Sequence, residues 1–160
     1  MATEPWKSAD GGFHLTLPES GWTSNLAVDD DSFYALDFHP PGGAYLLRVQ
    51  RFRREFPVHD GFQFEAVIEG VLVGIEEGLR PMKVLERKVT VSGDAIRADF
   101  VIRGKRLGID ILERRRLLTT GTVPPGALFL MTAACPMDQF LVHRRAFEAL
   151  FDSFGAEPLQ

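Results

Sequence analysis

Asp37 and His39 lie two residues apart in a β-rich run, so they share a strand face, and Cys135 sits where an apolar strand meets Pro136. A carboxylate beside an imidazole can move a proton or begin a metal site, and a thiol at a helix N-terminus can ionise and act as a nucleophile. Both chemistries need partners that the sequence does not supply. It contains no His-x-His, His-Glu-x-x-His, Gly-x-Ser-x-Gly, phosphate-loop or dinucleotide glycine pattern. A single cysteine excludes an intrachain disulfide and a cysteine-rich zinc site. Asp29-Asp30-Asp31 lacks the spaced ligands and closing glutamate of a calcium loop, and reads as a solvated turn. His14 is expected to face solvent, His59 to lie in a loop and His143 to sit on the outer or boundary side of the last helix. The expectation is a protein without catalytic residues, cofactor or metal. A small hydrolase or metal-dependent enzyme built on Asp37, His39 or Cys135 is the minor alternative.

Two basic groups stand out next. Arg48, Arg51, Arg53 and Arg54 gather around the end of one strand, and Arg114-Arg115-Arg116 sit inside another. Alternation places Arg114 and Arg116 on the face opposite Arg115. The plain expectation is a solvated sheet face with cross-strand pairs to Asp37, Glu86, Asp99 or Glu113. The sharper one is a dock for an acidic partner surface or an anion. Nucleic acid is not an expected partner, because the formal charge is -4 and aromatics interleave only at Phe52 and Phe56.

The elements that must carry these residues follow from period and punctuation. A length of 160 residues, 45% hydrophobic and 25% charged, suits one soluble domain with one core. The 13 Phe point to a core of large flat side chains, with room for a greasy groove. Residues 1–11 read as a mobile polar arm, 12–155 as the domain and 156–160 as a tail. Phe13-His14-Leu15-Thr16-Leu17 alternates as a half-buried strand, closed by Pro18 and Gly21, and residues 22–26 form a partner. Residues 33–39 and 44–52 form a hairpin about Pro40-Pro41-Gly42-Gly43. Over 61–79 the period becomes helical, with Phe64, Val67, Ile68, Val71, Leu72, Ile75 and Leu79 in one stripe and Gly78 and Pro81 as the stop. Strands then span 82–91, 95–102, 107–118 and 127–134, separated by Ser92-Gly93-Asp94, by Arg103-Gly104-Lys105 and by a turn near Gly121. A final helix after Pro136 aligns Phe140, Phe147, Leu150, Phe151 and Phe154. Short turns imply antiparallel pairing. The fold class is α+β, a single-domain antiparallel sheet flanked by helices. No run approaches the roughly 20 apolar residues of a bilayer span and no export signal precedes residue 9, so a cytosolic protein without stable membrane insertion is expected.

Ala66, Gly70, Gly74 and Gly78 recur every four residues on one flank of the first helix. A helical glycine costs about 0.5–1 kcal/mol relative to alanine, so the line has a reason. One is close packing of the helix on the sheet or on the second helix. The other is a shallow groove in which a partner helix can approach the backbone.

Phe13-x-Leu15-x-Leu17-Pro18-x-x-Gly21-Trp22, the mid-chain helix, Ser92-Gly93-Asp94 into a strand and the segment from Pro136 to Phe154 together resemble the Mog1/PsbP-like superfamily, and within it the DcrB-type branch. The resemblance implies an α/β/α sandwich and a binding role: members dock a small GTPase, a photosystem or secreted effectors. Arg51-Phe52-Arg53 and Phe147-x-x-Leu150-Phe151-x-Ser153-Phe154 are similar to the cytosolic Eag-type adaptor chaperones of type VI secretion, whose concave sheet shelters apolar N-terminal helices of an effector. The implied partner is thus the apolar helix of an effector, or alternatively a small GTPase, with room for a homodimer through a sheet edge or the glycine stripe. The candidate partner-binding residues are Ala66, Gly70, Gly74, Gly78, Phe33, Tyr34, Phe38, Tyr45, Arg51, Arg53 and Arg54, with Leu36, Leu47 and Phe100 beside them.

Overall fold

The computed structural model describes residues 4–8, 11–54, 61–92, 95–119 and 127–157. Five strands come first: β1 (Glu4–Ser8), β2 (Phe13–Leu17), β3 (Thr23–Asp29), β4 (Phe33–His39) and β5 (Leu46–Phe52). Helix α1 (Gly61–Gly78) is followed by β6 (Lys83–Ser92), β7 (Ala95–Arg106), β8 (Ile109–Thr119) and β9 (Leu128–Pro136). A 3-10 turn (Met137–Gln139) leads into α2 (Phe140–Ser153) and the short β10 (Gly155–Ala156). Seven strands form an antiparallel sheet in the order β3-β4-β5-β9-β8-β7-β6, and β1-β2-β10 form a smaller one. The α+β architecture with a large antiparallel sheet and flanking helices is the one that the short turns imply.

Alternation gives the large sheet two apolar faces. On one, Phe38, Leu47, Val49, Phe129 and Met131 pack with Phe13, Leu15 and Leu17 of β2 and with Phe140, Phe147, Leu150 and Phe151 of α2. On the other, Phe100, Ile102, Leu117, Leu128 and Leu130 pack with Phe64, Ile68, Ile75 and Leu79 of α1. The sheet is therefore the middle of three layers. Of the predicted helical stripe, Val67, Val71 and Leu72 are only half-buried. Among the described residues no helix is long and apolar enough to cross a membrane.

Several expectations change. The N-terminal residues are not a mobile arm over 4–8: β1 pairs along β2 with Trp6 opposite Leu15, and the Trp6 ring meets Phe38 edge-on at 4.7 Å. One large aromatic anchors an otherwise polar strand. The tail likewise begins later than 156, because Ala156 pairs with Phe13 and the Glu157 N–H donates to the Gly12 carbonyl at 2.7 Å. The predicted turn at Arg103-Gly104-Lys105 is continuous strand. The chain reverses at Leu107-Gly108, a two-residue turn with φ of 52° and 78°, both left-handed, as the twist of a tight hairpin favours. Gly104 is small for another reason: a Cβ there would collide with the Leu79 side chain, which closes the end of α1 onto the sheet. Gly93 and Asp94 of the predicted turn, and Phe56, His59, Gly121 and residues 158–160, lie outside the described residues.

Candidate functional site

Helix α1 lies over β7, with Leu117 of β8 and Leu128 and Leu130 of β9 in the same buried cluster, and leaves an opening toward β5 on that face. The result is an open cavity of about 640 Å³. Its wall is the flank of α1 that carries Ala66, Val67, Gly70, Val71, Gly74 and Gly78. Its floor is Phe33, Gln50, Phe52, Leu128 and Leu130. Phe33 and Phe52 are paired across β4 and β5 and meet edge-on at 5.1 Å. A Cβ added at Gly70, Gly74 or Gly78 would meet no atom within 4 Å. The packing explanation for the stripe therefore fails here. α2, the other packing partner considered, lies against the opposite face of the sheet. What the glycines do is keep the wall low and the helix backbone accessible.

One pole of the groove is cationic. Arg106 and Arg115 line it. Beneath them Glu113, 1% exposed, accepts from Arg115 at 2.8 Å and lies 3.6 Å from Arg106. Burial pushes the Arg115 guanidinium pKa down; Glu113 opposes that shift, while Arg106 and Arg48 add to it. Arg48 itself is matched in a two-point pair with Asp37, at 2.7 and 3.0 Å, across β4 and β5.

No family model matches the chain, and no curated protein matches it. Solved structures do. The PsbP protein of Synechocystis sp. PCC 6803 superposes with a TM-score of 0.67 at 13% identity, covering 96% of this chain and 92% of that one. The Saccharomyces cerevisiae Ran-binding protein Mog1p gives a TM-score of 0.62 at 9% identity, covering 99% and 97%. A Pseudomonas aeruginosa protein of unknown function, PA94, gives 0.52 at 12% identity, covering 91% of each chain. The chain has the Mog1/PsbP-like fold. At these identities the likeness carries the fold alone.

The fold separates the residues singled out in the sequence. Phe33 joins the glycine line in the groove. Tyr34, Phe38 and Tyr45 face the opposite side, where Phe38 is fully buried and Tyr45 packs on Phe147 at 4.8 Å and His143 at 4.9 Å. Leu36, Leu47 and Phe100 are core. The single aromatic docking surface is thus corrected: period-two alternation divides it between two faces. The basic strand end divides too. Arg51 lies over Phe129 at 5.3 Å, Arg53 pairs with Asp29 and lies 5.4 Å from the Tyr34 ring, and Arg54 is exposed.

Arg114 and Arg116 are on the face opposite Arg115, as alternation requires, but that face is not solvated. They are 4% and 6% exposed beneath α2. Asp99 accepts from both at 2.7 Å, and α2 adds Glu148 to Arg114 at 2.7 Å and Asp152 to Arg116 at 3.2 Å. Burial raises the Asp99 pKa, yet the hydrogen bonds from Arg116 and Arg114 outweigh it and hold the carboxyl below the usual range. Arg144 of α2 clasps Glu86 at 2.8 and 2.9 Å.

Asp37, His39 and Cys135 do not converge. Asp37 is held by Arg48, and His39 Nε2 meets Asn25 Oδ1 at 2.8 Å. Cys135 is buried among the α2-side core, where burial, and then Asp138, push the thiol up to about 11. Among the described residues no three His, Cys, Asp or Glu side chains gather as a metal site. Sequence reasoning missed Gln50, Arg106, Leu128 and Leu130 as groove residues. For Gln50, Leu128 and Leu130 the signal was alternation along β5 and β9, once those strands are known to lie beside α1; Arg106 is the last residue of β7.

Proposed function

We propose that this protein is a non-enzymatic binding module, adaptor- or chaperone-like and cytosolic, whose groove beside α1 shelters one face of an apolar helical segment of a protein client. The observation that carries this is the open glycine line facing an apolar floor. From Ala66 to Gly78 it runs about 18 Å at 1.5 Å per residue, matching about three turns of a client helix. Small residues let two helix backbones approach closely, and a helix laid in such a groove removes the half-buried Val67, Val71, Phe33 and Phe52 from water. The resemblance to the DcrB-type branch and its Eag-type adaptors supports a secreted effector as the source of that helix.

Hydrogen exchange of the full chain with and without an apolar helical peptide tests the reading. Protection is expected at residues 66–78 and on β5 and β9. Protection confined to residues 51–54 and the other charged strand ends would overturn it. The likeness to a Ran-binding protein favours a second reading, a regulator that docks a small GTPase by charged loops. Binding of that kind weakens steeply with salt, whereas groove docking depends on salt only weakly.

A further inference from the structure

The geometry points to a client segment that is apolar along its length and carries a carboxylate at the end that meets Arg106 and Arg115; this rests on the groove reading above. The polar members of the lining are Gln50, Arg106 and Arg115, with no acid among them. Glu113 below is shared, 2.8 Å from Arg115 and 3.6 Å from Arg106. Two guanidiniums against one carboxylate leave one positive charge unmatched. Arg48 does not alter that balance, because Asp37 holds it at two points. Of the acids of α1, Glu65 and Glu69 pair with Arg87, and Glu76 and Glu77 are exposed and do not line the cavity.

The surplus charge sits at one end. Arg106 follows Gly104, over which Leu79 packs, and the Arg80 N–H donates to the Lys105 carbonyl at 3.2 Å, so this is the C-terminal end of α1. Phe33, Phe52 and Leu128 lie toward the other end of the sheet, beside the Thr119–Ile96 pair. An apolar segment along the groove therefore has one pole where a neutral group would bury an unmatched cation and a carboxylate would complete a guanidinium pair. Burial lowers the Arg115 pKa, Arg106 and Arg48 add to the shift, and Glu113 opposes it.

Two fluorescein-labelled peptides of about 18 residues, five helical turns, test this. Both carry Leu, Ala and Gly on one face, Ser and Gln on the other, and blocked termini; they differ only by Glu or Gln in the last turn. The Glu peptide is expected to bind the full chain at least about tenfold more tightly. Arg106→Gln should erase the difference without lowering the melting temperature, since the Arg106 side chain is 45% exposed. Equal affinity for the two peptides would overturn the acidic-end inference and leave the groove reading standing. No binding of either, or binding undiminished in Gly74→Leu, would remove both. Palmitate binding where neither peptide binds would assign the groove to an acyl chain and overturn the protein-client proposal.

Discussion

The two faces of the large sheet begin from the same alternation and end differently. The α2 face is closed. Phe13, Phe38, Phe129, Phe147 and Phe151 are all 1% exposed or less, and its buried arginines are matched by Asp99, Glu148 and Asp152. The α1 face is half closed: Phe64, Ile68, Ile75 and Leu79 seal the helix onto β7 and β8, while its other flank stands open over β5 and β9. One helix thus divides its labour around its circumference. Its core flank supplies stability and its glycine flank supplies access.

The largest expected effect separates the faces by cavity cost. Phe151→Ala removes a ring wedged under Arg114 and Arg116, at 5.0 and 5.7 Å, and should lose about 3–5 kcal/mol in urea unfolding. Val71→Ala, half-buried in the groove wall, should lose about 1 kcal/mol or less. Similar losses at the two sites would erase the distinction. Asp99→Asn comes next, about 3 kcal/mol, because it leaves Arg114 and Arg116 short of charge beneath α2. The pH dependence has a definite sign. The folded Asp99 pKa lies below the ordinary value of about 3.9, so its contribution is complete above that value and is lost as pH falls through the depressed folded pKa. Acid unfolding below about pH 4 should therefore be shallower in Asp99→Asn.

What could be read in advance was local. The period-two run at Phe33–His39 and the helical period over 61–79 reappear as β4 and α1 within a residue, because each periodicity is a property of its own segment. The glycine spacing was legible for the same reason. Which side of it would be open was not, since that depends on where β5 and β9 lie relative to the helix. Arg114 and Arg116 show the same limit. Alternation assigned their face, but the acids that bury them come from α2, 34 and 36 residues away. Gly104 misled as a turn because a glycine that admits Leu79 looks, in sequence, like one that reverses the chain.

A smaller effect belongs to the hairpin tip beyond the groove's cationic pole. Leu107 is 97% exposed with a left-handed φ of 52°. Leu107→Asn should raise stability by about 0.5–1 kcal/mol in the same unfolding assay, since asparagine tolerates that conformation at lower cost.

The smallest expected change in stability accompanies the most telling change in binding. In Gly74→Leu the new side chain meets open space and gains helix propensity, so the melting temperature should hold or rise slightly. The same side chain fills the groove, so affinity for the apolar helical peptide should fall at least about tenfold. A folded Gly74→Leu protein that binds the peptide as tightly as its parent would contradict the assignment of this groove as the docking face.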